Sequence, residues 1–82
     1  MKHTTTIMET TGNNGVTVSL KKIGGLSVPY YAIDVLNKEM FASRQLRTMT
    51  TKNENAAYKL IASLVAQLSN DVGFWNLKFT TI

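Results

Sequence analysis

The sequence contains no cysteine and only one histidine, one proline and one tryptophan among its 82 residues. The absence of cysteine excludes disulfides, zinc–thiolate sites and a thiol nucleophile. The single histidine, His3, has Glu9 as its nearest carboxylate in the sequence, so we expect neither a catalytic nor a metal-binding role for it. The turn-like Gly12–Gly15 precedes a strand pattern rather than a helix, which does not match a phosphate-binding loop. We therefore predict that the protein is not an enzyme and uses no cofactor and no metal.

Long hydrophobic runs are also missing. No apolar run approaches the roughly 18 residues that a membrane-spanning helix needs. No apolar segment follows Lys2 and His3 at the N-terminus, as a signal peptide would require. The chain is 44% hydrophobic and 17% charged, which is typical of a folded protein. We expect one compact domain over residues 1–82, in the cytoplasm and without a membrane partner.

Acidic residues are scarce relative to basic ones. Five Asp and Glu residues stand against nine Lys and Arg residues, which gives a net charge of +4 and a pI near 9.6. The basic residues are scattered along the chain instead of forming a dense stripe. This distribution indicates a solubilising surface with weak, non-specific affinity for nucleic acid.

One stretch, from Thr51 to Asn70, has a strong helical pattern. It opens with Thr51 and Glu54 in the spacing of a capping box, in which Thr51 would be the N-cap. Apolar residues then recur at intervals of three and four, as on the buried face of an amphipathic helix. Asn70, Asp71 and Gly73 supply a stop. We expect this helix to organise the fold.

Strand patterns occupy most of the remaining chain. Threonine-rich residues 4–11, the turn at 12–15 and the alternating residues 16–20 predict a hairpin. Further strands are expected over residues 28–36, about 40–49, and 74–82. The chain is therefore predicted to be an α+β domain, a mostly antiparallel sheet of four to five strands in the order β-β-β-β-α-β with one amphipathic helix on one face. In the last strand we expect a buried face formed by Trp75, Leu77 and Phe79.

Basic and aromatic residues near the third and fourth strands are the candidates for partner binding. Strict alternation places Arg44 and Arg47 on opposite faces of their strand, so one of the two is expected to point outward. Arginine is enriched at interface hot spots because its planar fork pairs with carboxylates or phosphates. The predicted partner-binding residues are Arg44, Arg47, Lys38, Phe41 and Tyr30. Asp34 and Glu39 are expected to form surface ion pairs with Lys38 or Arg44.

The predicted helix carries a second candidate surface. Between Asn55 and Asn70 its only charged residue is Lys59, whereas an exposed helix usually has several charges. Ala62 and Ala66 widen the apolar face of this helix. This pattern has two interpretations: the helix has a second packing surface, or the alanines are present only because alanine favours helix. We carry the first as a prediction of a homodimer whose interface includes Tyr58, Ala62 and Ala66.

In size, in the lack of catalytic groups and in its β-hairpins followed by a capped helix, the whole chain resembles small phage-encoded inhibitors of the anti-CRISPR type. No motif carries this resemblance, so it transfers no functional residue. It implies a non-enzymatic module that inhibits a host defence complex by binding a protein or nucleoprotein surface. Mimicry of DNA is not expected, because such mimics are strongly acidic and this chain is basic. The alternative is a small basic accessory protein that binds nucleic acid.

Overall fold

The structure is a computed structural model and describes residues 3–25, 28–38 and 43–80. Four strands, one α-helix and one short 3₁₀ turn follow each other along the chain. They are β1 (His3–Thr11), β2 (Val16–Gly24), β3 (Tyr30–Lys38), β4 (Ser43–Thr51), α1 (Glu54–Ser69) and the 3₁₀ turn Phe74–Asn76.

The four strands form one antiparallel sheet in the order β1-β2-β3-β4. Each strand pairs with its neighbour in the sequence, as connections of hairpin length favour. The turn between β1 and β2 closes with a hydrogen bond of 2.8 Å from the Gly12 amide to the Val16 carbonyl, and Gly15 adopts a φ of 83° that glycine tolerates. The predicted α+β fold with an antiparallel sheet and one helix is confirmed.

The core lies between α1 and one face of β2, β3 and β4. Side chains on that face alternate along each strand, and the helix contributes its residues at intervals of three and four. β1 contributes no described side chain to this core, and its Ile7 and Met8 remain exposed. The buried cluster comprises Val16, Val18, Leu20, Tyr31, Ile33, Val35, Ala57, Leu60, Ile61, Leu64, Leu68 and Leu77.

The start of the helix differs from the predicted capping box. The N-cap is Asn53, whose side-chain oxygen accepts a hydrogen bond of 3.1 Å from the Ala56 amide. Thr51 cannot take that role because it is still paired with Tyr31 as the last residue of β4. Glu54 instead accepts a hydrogen bond of 3.1 Å from the Tyr31 hydroxyl. Burial and then this hydrogen bond raise the pKa of Tyr31 above its usual value of 10.0.

The helix ends in a Schellman motif, close to the predicted stop. The Asp71 amide donates to the Leu68 carbonyl and the Val72 amide donates to the Gln67 carbonyl, at 3.0 and 3.1 Å. Asp71 takes the left-handed conformation that this motif requires, with a φ of 59°. Because the chain reverses there, residues after Asp71 turn back along the side of the helix.

The predicted fifth strand is wrong within the described residues. Residues 74–76 form the 3₁₀ turn, and residues 77–80 pair with no strand. Leu77 is buried and Phe79 is partly buried, as expected. Trp75, however, is 91% exposed instead of buried. The 3₁₀ turn explains the difference, because consecutive side chains in such a turn are spread around its axis and do not alternate between two faces.

Candidate functional site

Trp75 is the most exposed large hydrophobic residue of the described chain, with 91% of its surface open to solvent. Its neighbour Phe74 is partly buried against the core. The two rings meet edge to face, with 5.1 Å between their centroids and an angle of 74° between their planes. A tryptophan held in this way presents a large apolar surface without a partner, which is a frequent property of interaction sites.

The segment that carries Trp75 is tied down on both sides. Before it, the Asn14 side chain of the β1–β2 turn donates a hydrogen bond of 3.1 Å to the Val72 carbonyl. After it, the Gln67 carboxamide accepts from the Lys78 amide at 2.7 Å and donates to the Lys78 carbonyl at 2.9 Å. These hydrogen bonds involve Val72 and Lys78, which lie before and after Trp75 in the chain, and not Trp75 itself. Trp75 is therefore displayed on a pre-organised loop, which lowers the entropic cost of binding.

A β-bulge in β4 determines which side chains face this loop. Val35 pairs with Arg47 and Leu36 pairs with Gln45, so Leu46 is left without a partner on β3. One extra residue reverses the alternation of all residues before it. Arg44 therefore returns to the side of the sheet on which Arg47 lies, the side covered by the helix. The predicted placement of the two arginines on opposite faces is wrong for this reason.

Arg44, Trp75 and their neighbours enclose a groove of about 510 Å³. The groove is lined by one leucine, two aromatic residues, one arginine, one asparagine and one glutamine, and the Gln45 carboxamide is itself hydrogen-bonded to Asp34. The volume is within the usual range for ligand sites in proteins. The lining residues are Asn37, Arg44, Gln45, Leu46, Phe74 and Trp75.

The two arginines differ in what they contact. The guanidinium carbon of Arg47 lies 4.1 Å from the centroid of the Phe79 ring, a cation–π contact that holds this side chain against the protein. Arg44 is exposed and forms no ion pair with any described residue. Arg44 is thus the arginine of this pair whose five donors are available to a partner.

The other predicted partner-binding residues are not gathered at this groove. Tyr30 is half-buried and lies on the opposite face of the sheet, since its neighbour Tyr31 points into the core. Phe41 lies outside the described residues, and so does the side chain of Lys38, although its backbone ends β3. The structure places Arg44 and Arg47 on the same side of the sheet, and it adds to the groove Trp75, which the sequence pattern had assigned to the core.

The predicted dimer surface is on the outer side of α1. Tyr58, Ala62 and Ala66 are all exposed there, and Tyr58 has 41% of its surface open. No residue of this set lines the groove. A homodimer through this flank stays a prediction.

The sheet face opposite the helix is polar and largely satisfied by its own residues. Asp34 accepts from Thr48 at 2.7 Å and from Gln45 at 3.3 Å, and it forms an ion pair of 3.4 Å with Lys21. The predicted pairing of Asp34 with Arg44 is wrong, because Arg44 lies opposite Asn37 on the other face of the sheet. The Lys38 side chain and Glu39 lie outside the described residues, so the ion pairs predicted for them stay predictions. Ser19, buried on this face, is the one side chain with a buried hydroxyl that lacks a partner among the described residues.

No protein-family model, curated protein or solved structure matches this chain. Within residues 3–25, 28–38 and 43–80, no three metal-binding side chains come together, and no helix has the length and apolarity to cross a bilayer. The resemblance to small phage-encoded inhibitors stays a prediction.

Proposed function

We propose that this protein is a non-enzymatic protein-binding module and that the Trp75 groove is its principal contact surface. The observation that carries the proposal is an almost fully exposed tryptophan next to an unpaired arginine. Tryptophan and arginine are the residues most enriched among binding hot spots. The described residues that line the groove are Asn37, Arg44, Gln45, Leu46, Phe74 and Trp75, and none of these side chains acts as a general base at neutral pH.

This surface suits a small inhibitor that acts by occupying a partner. The chain is short, its exposed anchor is held in place by the Asn14 and Gln67 hydrogen bonds, and a pre-organised anchor favours slow dissociation. We therefore retain a phage-encoded inhibitor of a host defence complex, of the anti-CRISPR type, as the specific form of the proposal. The net charge of +4 favours an acidic protein surface or a nucleoprotein as the target.

The experiment compares affinity capture from host-cell extract with three baits: the unmodified protein, Trp75→Ala and Tyr58→Ala. Tyr58 is the matched control, since it is also an exposed aromatic but lies on the outer side of the helix. We expect at least one protein to be captured by the unmodified protein and by Tyr58→Ala, and to be lost with Trp75→Ala. Capture that is the same with all three baits contradicts the proposal.

One observation favours the alternative, a small basic protein that binds single-stranded nucleic acid. The bulge at Leu46 puts Arg44 and Arg47 on the same side of the sheet, near an exposed tryptophan on which a base can stack. If the positive charge only solubilises the protein, oligonucleotide binding should disappear by about 200 mM salt, because counterion release supplies almost all of its affinity. Nanomolar affinity that persists at that salt concentration favours the alternative.

A further inference from the structure

The groove contains a positive charge that pairs with no described acidic residue. Among the described residues that line the groove, Arg44 is the only charged one. The ion pair between Lys21 and Asp34 is on the other face of the sheet. Because guanidinium and carboxylate form two parallel hydrogen bonds, one free arginine matches one carboxylate of a ligand.

The apolar half of the groove sets a second requirement. Leu46, Phe74 and Trp75 line the same groove as Arg44, and the two aromatic rings are in contact. Burying the exposed Trp75 ring requires an apolar side chain from the ligand, since a purely charged ligand would leave this surface in water. A suitable ligand therefore combines an apolar group with a carboxylate at the distance that separates Trp75 from Arg44.

The position of the groove indicates the backbone form of this ligand. β4 is an outer strand of the sheet, and the groove lies beside its first residues. An extended peptide can add to such an edge through main-chain hydrogen bonds, and alternate side chains of the peptide then face the same side. Residues at positions i and i+2 of the peptide would thus reach the groove together.

We propose that the groove binds an extended acidic segment of a partner protein, with an apolar side chain on Trp75 and Phe74 and a carboxylate on Arg44. This inference rests on the proposed protein-binding function and specifies its ligand. A phosphate-rich nucleic acid is less well matched, because Arg47 is already stacked on Phe79 and Arg44 remains as a single free guanidinium. Anionic phosphate ligands are usually held by several cations.

Trp75 is the only tryptophan of the chain, so its fluorescence reports directly on the groove. The probes are short extended peptides, acetylated and amidated at their ends, that carry Leu and Glu, Leu and Gln, or Ser and Glu at positions i and i+2, so that both side chains face the same side. A single-stranded oligothymidylate is the fourth probe. We expect the Leu/Glu peptide to shift the Trp75 emission to shorter wavelength in a saturable way. The Leu/Gln and Ser/Glu peptides should each bind about tenfold more weakly, because one lacks the charge-assisted hydrogen bonds and the other the apolar contact.

Two variants with the same net charge test the role of Arg44. Arg44→Gln should bind the Leu/Glu and Leu/Gln peptides equally, whereas Lys22→Gln should keep the tenfold preference. Lys22 is a suitable control because it is exposed and lies opposite Tyr31, near the start of β3, whereas Arg44 lies opposite Asn37, near its end. A tenfold preference that survives in Arg44→Gln overturns the proposal.

The remaining outcomes separate this inference from the proposed function. If the oligothymidylate shifts the Trp75 emission at lower concentration than every peptide, both are overturned in favour of nucleic-acid binding. If no peptide binds but capture of a protein still depends on Trp75, only the acidic peptide is overturned. Equal binding of the Leu/Glu and Leu/Gln peptides to the unmodified protein also overturns it.

Discussion

Replacing Trp75 with alanine should leave the fold almost as stable as before, whereas the same change at Leu77 should damage it. A tryptophan side chain that is 91% exposed has about 9% of its surface in contact with the protein. For a side chain of roughly 250 Å² this is about 20 Å², worth about 0.5 kcal/mol at 25 cal/mol per Å². Leu77 is only 8% exposed, and truncation of a buried leucine costs about 2–5 kcal/mol. We expect the lower part of that range, because Leu77 is at the margin of the core.

The measurements are thermal and urea unfolding, both followed by far-ultraviolet circular dichroism, since the Trp75→Ala variant has no tryptophan fluorescence. In a domain of this length, 1 kcal/mol corresponds to a shift in melting temperature of about 4–8 °C. Trp75→Ala should therefore melt within a few degrees of the unmodified protein, and Leu77→Ala should melt at least about 8 °C lower. A loss of more than about 1.5 kcal/mol in Trp75→Ala would show that the ring is packed in solution, and its exposure could no longer support a binding role.

Three further changes test other parts of the structure. Because the pKa of Tyr31 is raised from 10.0, the folded state keeps a proton that the unfolded chain loses, so the free energy of unfolding should fall as the pH rises above about 10. Tyr31→Phe should reduce this fall when the free energy of unfolding is measured by urea titration at several pH values. The same dependence on pH in the variant and the unmodified protein would contradict a raised pKa of Tyr31. Gln67→Leu removes both hydrogen bonds to Lys78 and should lower the fluorescence anisotropy of the indole while the helical dichroism is kept, whereas unchanged anisotropy would argue against the tether. Ala62→Arg should convert the predicted homodimer into a folded monomer, and light scattering that finds the unmodified protein monomeric at micromolar concentration would refute the dimer.

The elements with strong local signals were predictable from the sequence. The helix follows from the period of its apolar residues, and the β1–β2 hairpin follows from the turn residues at 12–15, because both signals are local. The N-cap shifted from Thr51 to Asn53 because strand pairing, a long-range interaction, holds Thr51 in β4. Local secondary-structure propensity does not predict whether the strand or the helix will include a residue that both could use.

The site was harder to predict than the fold. The bulge at Leu46 has no glycine or other local signal, so strict alternation placed Arg44 on the wrong face. Trp75, Leu77 and Phe79 occupy every second position, as the apolar residues of a strand do. Only Leu77 and Phe79 pack against the core, whereas Trp75 points to solvent. Gly73, which precedes the 3₁₀ turn, and Asn76, its last residue, were the available signals for irregular structure. Alternation in a segment that pairs with no strand does not determine which side is buried.

The bulge also determines how β4 responds to a change in chain length. Leu46 is unpaired, so deletion of this residue would leave Val35 opposite Arg47 and Asn37 opposite Arg44. No other side chain of β4 would change face, and the groove would lose one leucine. Deletion of Thr48, in contrast, would force either a new register or the loss of the bulge, since that residue is paired with Asp34. A gain or loss of one residue at position 46 is therefore a change that this sheet can absorb without reversing its two faces.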